Sequence, residues 1–245
     1  MGKSLVAVGL AVALAKRQRV GLLDLDFRAP NIPYILGLPL EASYDREYRP
    51  KPLWWSRGAV GFPVFSTAIV YGDATSILME GSLVRTAVRD FLDDVAWPEL
   101  DMLVIDTDPS AADTLNGLRD TLKEMSAFIV TTPERSSLAD SARMIDSCRE
   151  LSIRVRGLVV NMAGTVCSSC GEPLACGGCG TEVVYGDPRM VEDFAARASV
   201  PIAATLPWMS TARADPVGTV SGKWARQFDG LAAGVLGLAP PQAVR

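Results

Sequence analysis

Short runs of apolar residues alternate along the chain with longer stretches in which apolar positions recur every three or four residues. The runs Val20 to Leu23, Phe62 to Ser66, Met102 to Ile105, Ala127 to Thr131, Arg156 to Val160 and Ile202 to Thr205 predict strands buried on both faces. A strand covered by helices above and below has no polar side to show. Between them, Leu83, Ala87, Phe91 and Val95 recur at helical spacing with Arg89, Asp90 and Asp93 interposed, which predicts a helix laying one face on the sheet. Another helix is predicted from Asp187-Pro188, an N-cap residue followed by proline at the first helical position, through Val191, Phe194 and Ala198. The alternation as a whole predicts an α/β fold, a mostly parallel sheet with helices on both faces. One domain is expected over residues 1–238, with a frayed tail over 239–245. Two stretches break the pattern. Tyr44 to Gly61, with Pro50, Pro52, Trp54 and Trp55, is expected to be an irregular excursion serving as lid, interface or local packing, and residues 164–186 are expected to be mostly loop.

The first residues admit two readings. Lys3 followed by the apolar run from Leu5 to Ala15, with Ala13-Leu14-Ala15, has the form of a secretory signal. Lys16, Arg17 and Arg19 follow directly, however, and then Val20-Gly21-Leu22-Leu23-Asp24-Leu25-Asp26, an apolar run ending in carboxylates. A helix feeding a buried strand explains both halves, whereas a signal explains only the first. No other stretch approaches the roughly 20 apolar residues that span a bilayer. The expectation is a cytoplasmic chain without a membrane partner.

Composition removes several classes of chemistry. The 245 residues hold no histidine, which excludes a Ser-His-Asp or Cys-His nucleophile, a histidine-rich zinc site and a histidine pH switch together. A formal charge of −4, with 24 Lys and Arg, gives no electrostatic footprint for a nucleic-acid partner. Four of the five cysteines, Cys167, Cys170, Cys176 and Cys179, fall within thirteen residues as two C-x-x-C-G pairs. Paired C-x-x-C in a large acidic chain reads as metal or cluster ligation in a reducing compartment. Four thiolates suffice for one tetrahedral Zn²⁺ or for one iron–sulfur cluster, and spacing leaves that choice open.

A phosphate site is suggested by Gly2-Lys3-Ser4 opening a helix, the closing part of a P-loop, in which Lys3 reaches the β/γ oxygens and the Ser4 hydroxyl binds Mg²⁺. Three residues are a small motif, but their order with later carboxylates adds to it. Asp24-x-Asp26 ends the next predicted strand, and Asp106 ends Met102-Leu103-Val104-Ile105 in the place of a Walker B acid. Open α/β sheets bind ligands at the carboxyl ends of their strands.

With these residues in hand, the chain resembles the Mrp/ApbC branch of the MinD/ParA superfamily of deviant P-loop ATPases, which includes iron–sulfur cluster scaffolds. The resemblance runs from Gly2 to about Val217 and rests on the Gly-Lys-Ser, Leu23-Asp24-Leu25-Asp26 with Pro30-Asn31-Ile32-Pro33, Leu92 through Trp97 to Asp106-Thr107, Val130-Thr131-Thr132-Pro133, Val160-Asn161-Met162 and Cys167-x-x-Cys170. It implies ATP with Mg²⁺ bound between two like subunits, Asp26 as the carboxylate orienting the attacking water, Lys3 on the phosphates, Asp106 on the magnesium side and Asn161 near the adenine. It further implies a [4Fe-4S] cluster on the cysteines, Cys167 and Cys170 first among them, passed to apo iron–sulfur proteins. The alternatives are a zinc-stapled regulatory or partitioning ATPase and a nucleotide-binding pseudoenzyme. Two departures stand out. The family's loop opens with a lysine and two glycines after a β-strand, neither of which precedes Gly2, so the resemblance implies that Met1 is internal and that ATP hydrolysis requires a loop completed upstream. Asp108-Pro109-Ser110-Ala111-Ala112 stands where the family has a proline and then glycines, and side chains there restrict a phosphate-sensing backbone.

Overall fold

The computed structural model describes residues 2–71, 81–108, 112–180 and 186–238. The predicted tail, Met1 and Pro109-Ser110-Ala111 lie outside the described residues. The chain divides into two compact units, one over Lys3–Glu124 and one over Met125–Arg245 with Met1–Gly2.

In the unit from Lys3 to Glu124, helix α1 (Lys3–Leu14) leads into strand β1 (Val20–Leu25). A short helix α2 (Ile32–Leu36) follows, then β2 (Leu53–Arg57), β3 (Val60–Ser66) and α3 (Thr67–Tyr71). Helix α4 (Ser82–Asp93), strand β4 (Met102–Thr107) and helix α5 (Ala112–Thr121) complete it. The sheet order is β2-β3-β1-β4, with β1 parallel to both β3 and β4. Strand β1 is buried at every position, Asp24 included, and α1 packs against β1 and β4 with Val8 and Ala11 fully enclosed. The stretch with the form of a secretory signal is thus a core helix of this unit. Phe65 of β3 is the hub of an aromatic cluster, with ring centroids 5.4 Å from Phe91 and 6.4 Å from Trp97.

Two expectations need correction here. The excursion Tyr44 to Gly61 contains a strand: β2 pairs antiparallel with β3 from Leu53↔Val64 to Arg57↔Val60. Alternation explains it, because Trp55 turns inward onto Phe62 at 4.9 Å while Trp54, 64% exposed, faces out. In α4 the buried stripe is Val84, Ala87, Val88 and Phe91, and Leu83 is 61% exposed. Two adjacent apolar residues allowed the stripe to be drawn one position early, and packing of α4 against α5 selects Val84.

The unit from Met125 alternates strand and helix more regularly: β5 (Ser126–Thr131), α6 (Arg135–Glu150), β6 (Arg154–Thr165), α7 (Pro188–Ala198) and β7 (Ile202–Trp208). Helices α8 (Thr211–Ala214), α9 (Pro216–Ser221) and α10 (Ala225–Leu236) follow. Its three strands are parallel in the order β5-β6-β7. The start of α7 is as the sequence predicts: Asp187 accepts a 3.0 Å hydrogen bond from the Arg189 N–H, and Pro188 occupies the first turn. Strand β6 runs on to Thr165, five residues beyond the apolar run, and so carries the chain directly into the cysteine loop.

Candidate functional site

In the Lys3–Glu124 unit, Lys3 and Ser4 form the first turn of α1, and Asp26 and Asp106 lie at the carboxyl ends of β1 and β4. Because β1 and β4 are parallel and in register, Asp24 stands opposite Asp106. Both are buried, and burial raises both pKa values: Asp24 to about 7, with the Asp106 charge adding to the rise, and Asp106 to about 6. The hydrogen bond with Ser4 and the charge of Lys3 pull Asp106 back down, which places all three of these groups together, while Asp26 pushes it up. The Asp106 Oδ2 atom is buried with no hydrogen-bond partner in this unit. An orphaned carboxylate oxygen beside a hydroxyl and an ammonium is a donor set suited to a hard cation held with a phosphate.

Two further residues of this site, Ser66 and Thr67, carry no mark in the sequence. Asp24 accepts from the Asp26 N–H at 3.1 Å, the Ile32 N–H at 3.2 Å and the Ser66 hydroxyl at 3.0 Å. It therefore pins the loop after β1 to both α2 and the end of β3. Asp26 folds back on that loop, its Oδ1 accepting from the N–H groups of Arg28 at 3.1 Å and Ala29 at 2.9 Å. Thr67 donates to the Asp26 carbonyl at 3.1 Å, and Arg28 Nε lies 3.9 Å from Asp108 Oδ2.

In the other unit, Gly2 and Asn161 meet. Gly2 has φ +79°, and any side chain on it would collide with the Asn161 amide, so glycine is required there on two counts. Asn161 is buried near the end of the apolar part of β6, and its Oδ1 accepts the Met162 N–H at 3.0 Å, supporting Met162 at φ +58°.

The cysteines occupy two turns of the same design. Gly171 N–H donates to the Cys167 carbonyl at 2.8 Å, and Gly180 N–H to the Cys176 carbonyl at 2.8 Å. Both glycines have positive φ, +82° and +70°, which explains why each pair is C-x-x-C-G. The first turn is anchored to the scaffold: Val166 N–H bonds the Trp208 carbonyl, the Ser168 and Ser210 hydroxyls lie 2.8 Å apart, and Lys223 Nζ reaches the Ser169 carbonyl at 3.1 Å. Within it the N–H groups of Cys170 and Ser169 and the Cys170 thiol are directed at the Cys167 sulfur and lower its pKa to about 7. Cys170, Cys176 and Cys179 are exposed, and none of the five cysteines forms a disulfide. Among the described residues no three Cys, Asp or Glu side chains converge on a point that would hold a metal. Cys148, buried in α6 with its pKa raised by burial, takes no part.

The sequence profile of the NUBPL iron-transfer P-loop NTPases, of the ParA group, matches residues 1–215. A protein of Helicobacter pylori named iron–sulfur cluster carrier protein is 36% identical over 171 residues, covering 69% of this chain and 46% of its own length. The chain therefore spans about half of that relative. A cytosolic Fe–S cluster assembly factor, a Nubp2 homolog from Aedes aegypti, is 34% identical over 177 residues, covering 70% of this chain and 68% of its own. Among solved structures, a nucleotide-binding protein of Archaeoglobus fulgidus in complex with ADP is similar with a TM-score of 0.67 and 28% identity, over 91% of this chain and 83% of that one. Among the described residues no helix is long and apolar enough to cross a membrane.

Proposed function

Since the chain belongs to the family of NUBPL iron-transfer P-loop NTPases, we propose that it is an ATP-binding carrier that assembles an iron–sulfur cluster on its cysteine turns and passes it to apo-proteins. One observation carries this reading beyond nucleotide binding: a C-x-x-C-G turn anchored at the end of β6, in which backbone N–H groups already favour the Cys167 thiolate. Thiolates, and not thiols, ligate iron. The relatives named as cluster carriers and assembly factors support it.

Lys3 and Gly2 would hold the phosphates of ATP, and Ser4 with Asp106 would hold its Mg²⁺, the orphaned Asp106 oxygen being the atom that gains most from the cation. When bound, Mg²⁺ neutralises charge that develops on the phosphates. Asp26 would orient the attacking water, and the N–H contacts of Arg28 and Ala29 fix the direction of its carboxylate. Asn161 would lie beside the nucleotide base. Two like subunits would share the nucleotide in the cytoplasm, and ATP turnover would open or close the cysteine loop by changing how the subunits sit.

A second reading has its own observation. The two cysteine turns match in sequence and hydrogen bonding, the form expected when four equivalent thiolates close on one Zn²⁺. The chain would then be a zinc-stapled regulatory ATPase. Anaerobic reconstitution with iron and sulfide, followed by metal analysis and a visible spectrum, separates the two. The carrier gains iron and broad visible absorption, both lost in Cys167→Ser and Cys170→Ser, with less effect from Cys176→Ser and Cys179→Ser when the first pair bridges subunits. Stoichiometric zinc with no iron, and equal loss of metal in all four variants, would defeat the carrier reading.

A further inference from the structure

Helices α6 and α7 pack side by side in the unit from Met125, and between them lies a cavity of about 470 Å³. Its floor is apolar, formed by Leu138 and Ile145 of α6 and Met190 and Phe194 of α7. Its rim is cationic. Arg135 stands at the first residue of α6, Arg149 next to the last, and Arg197 near the end of α7, with Asp146 as the one acid of the lining. Arg149 is engaged by Asp146 and by the Ala198 carbonyl. Arg135 and Arg197 are exposed, and neither makes an ion pair or side-chain hydrogen bond among the described residues. A chain with a formal charge of −4 thus gathers three guanidinium groups around one apolar groove.

We propose that this groove docks an acidic amphipathic segment of a partner protein. Apolar side chains of the segment would cover Leu138, Ile145 and Phe194, while its carboxylates meet Arg135 at one end and Arg197 at the other. At 1.5 Å per residue, Arg135 and Arg149 are about 21 Å apart along the α6 axis, the reach of roughly four helical turns. Opposite charge at both ends of such a segment sets its register, and apolar contact between them supplies affinity. A free carboxylate metabolite would satisfy one end only. The inference concerns a surface distinct from the cysteines and stands independently of which metal they hold.

The test uses the full chain and a fluorescein-labelled sixteen-residue peptide with leucine at every third and fourth position and glutamate elsewhere, read by fluorescence polarisation. Saturable binding that weakens with added salt is expected. The double variant Arg135→Glu, Arg197→Glu, altered only at exposed positions, should bind at least about tenfold more weakly with unchanged melting temperature. Replacing every peptide glutamate by glutamine should cost a similar factor, and Ala142→Trp, which fills the groove, should reduce binding without charge change. Failure of the acidic peptide to saturate, equal binding by the glutamine peptide, or undiminished binding by the double variant would each overturn the proposal. Metal content is unaffected by any of these outcomes, so failure here and failure of the carrier reading are distinguishable.

Discussion

The carboxylates at the strand ends of the Lys3–Glu124 unit and the thiols of the cysteine turns are the two candidate ligand sets of the chain, yet they are built in opposite ways. Asp24 and Asp106 are buried on parallel strands and pay for it in pKa, rising to about 7 and about 6. Their directions are fixed by the backbone N–H groups of Asp26 and Ile32 and the hydroxyls of Ser66 and Ser4. The thiols lie in exposed turns, and Cys167 is moved the other way, to about 7, first by the backbone N–H groups of Cys170 and Ser169 and then by the side chains of the same two residues. Burial makes the first set precise, at a cost in desolvation. Exposure leaves the second accessible to solvent.

The largest expected effects separate binding from turnover at the buried site. Lys3→Ala should lower ATP affinity by on the order of a hundredfold, whereas Asp26→Ala should abolish whatever hydrolysis the chain with a completed loop performs with affinity nearly unchanged, measured by calorimetric titration and phosphate release. Equal loss of affinity in both would make Asp26 a structural residue of its loop, as its bonds to Arg28 and Ala29 also allow.

A second contrast concerns stability. Phe65→Ala, which removes a fully buried ring from the contacts with Phe91 and Trp97, should cost about 3–5 kcal/mol in urea unfolding. Leu174→Ser, between the two cysteine turns and 42% exposed, should change stability by no more than about 0.5 kcal/mol without metal. A comparable loss from Leu174→Ser would mean that the loop is part of the core, and the comparison would fall.

The smallest effect is a pH dependence, and its sign is set by burial. Asp24 and Asp106 hold protons more tightly folded than unfolded, so the folded state is favoured at low pH and loses stability as pH rises from about 4 to about 7. In buffer free of Mg²⁺ and nucleotide the melting temperature should fall by a few degrees across that window. Asp24→Asn should flatten the profile, and Mg²⁺ with ATP should restore stability at neutral pH. A melting temperature that instead rose from pH 4 to 7 in the unaltered chain, with the rise lost in Asp24→Asn, would show that the three hydrogen bonds to Asp24 outweigh its desolvation.

Much of this contrast was readable in advance. Buried parallel strands show themselves as apolar runs, and those of β1 and β4 end in aspartates, so Lys3, Ser4, Asp26 and Asp106 could be ordered from sequence. The glycine after each second cysteine likewise marks a turn with positive φ. What could not be read depends on distant partners. Ser66 meets Asp24 across 42 residues, and no local pattern announces that contact. The sheet order β2-β3-β1-β4 is set by which edges pair, not by neighbours in the chain. Strand β2 leaves no apolar run to read, because Pro50 and Pro52 precede it and only Trp55 of its aromatic pair turns inward. The last residues of β6, through Ala163 and Thr165, are half-exposed and lack the apolar run that marks a buried strand.

The hydrogen bonds within the first cysteine turn have a consequence in time as well as in space. A thiol with a pKa near 7 is about half ionised at neutral pH. Thiolates are the form that peroxide and oxygen-derived oxidants attack. The same N–H groups that favour the Cys167 thiolate therefore shorten the life of the reduced turn in air, with Cys170 at hand to take up a sulfenic acid as a disulfide and release water. Cys148, enclosed in α6, has no such clock. The reduced state of the first turn thus has a lifetime set in large part by two backbone amides, a limit that the buried thiol of α6 escapes.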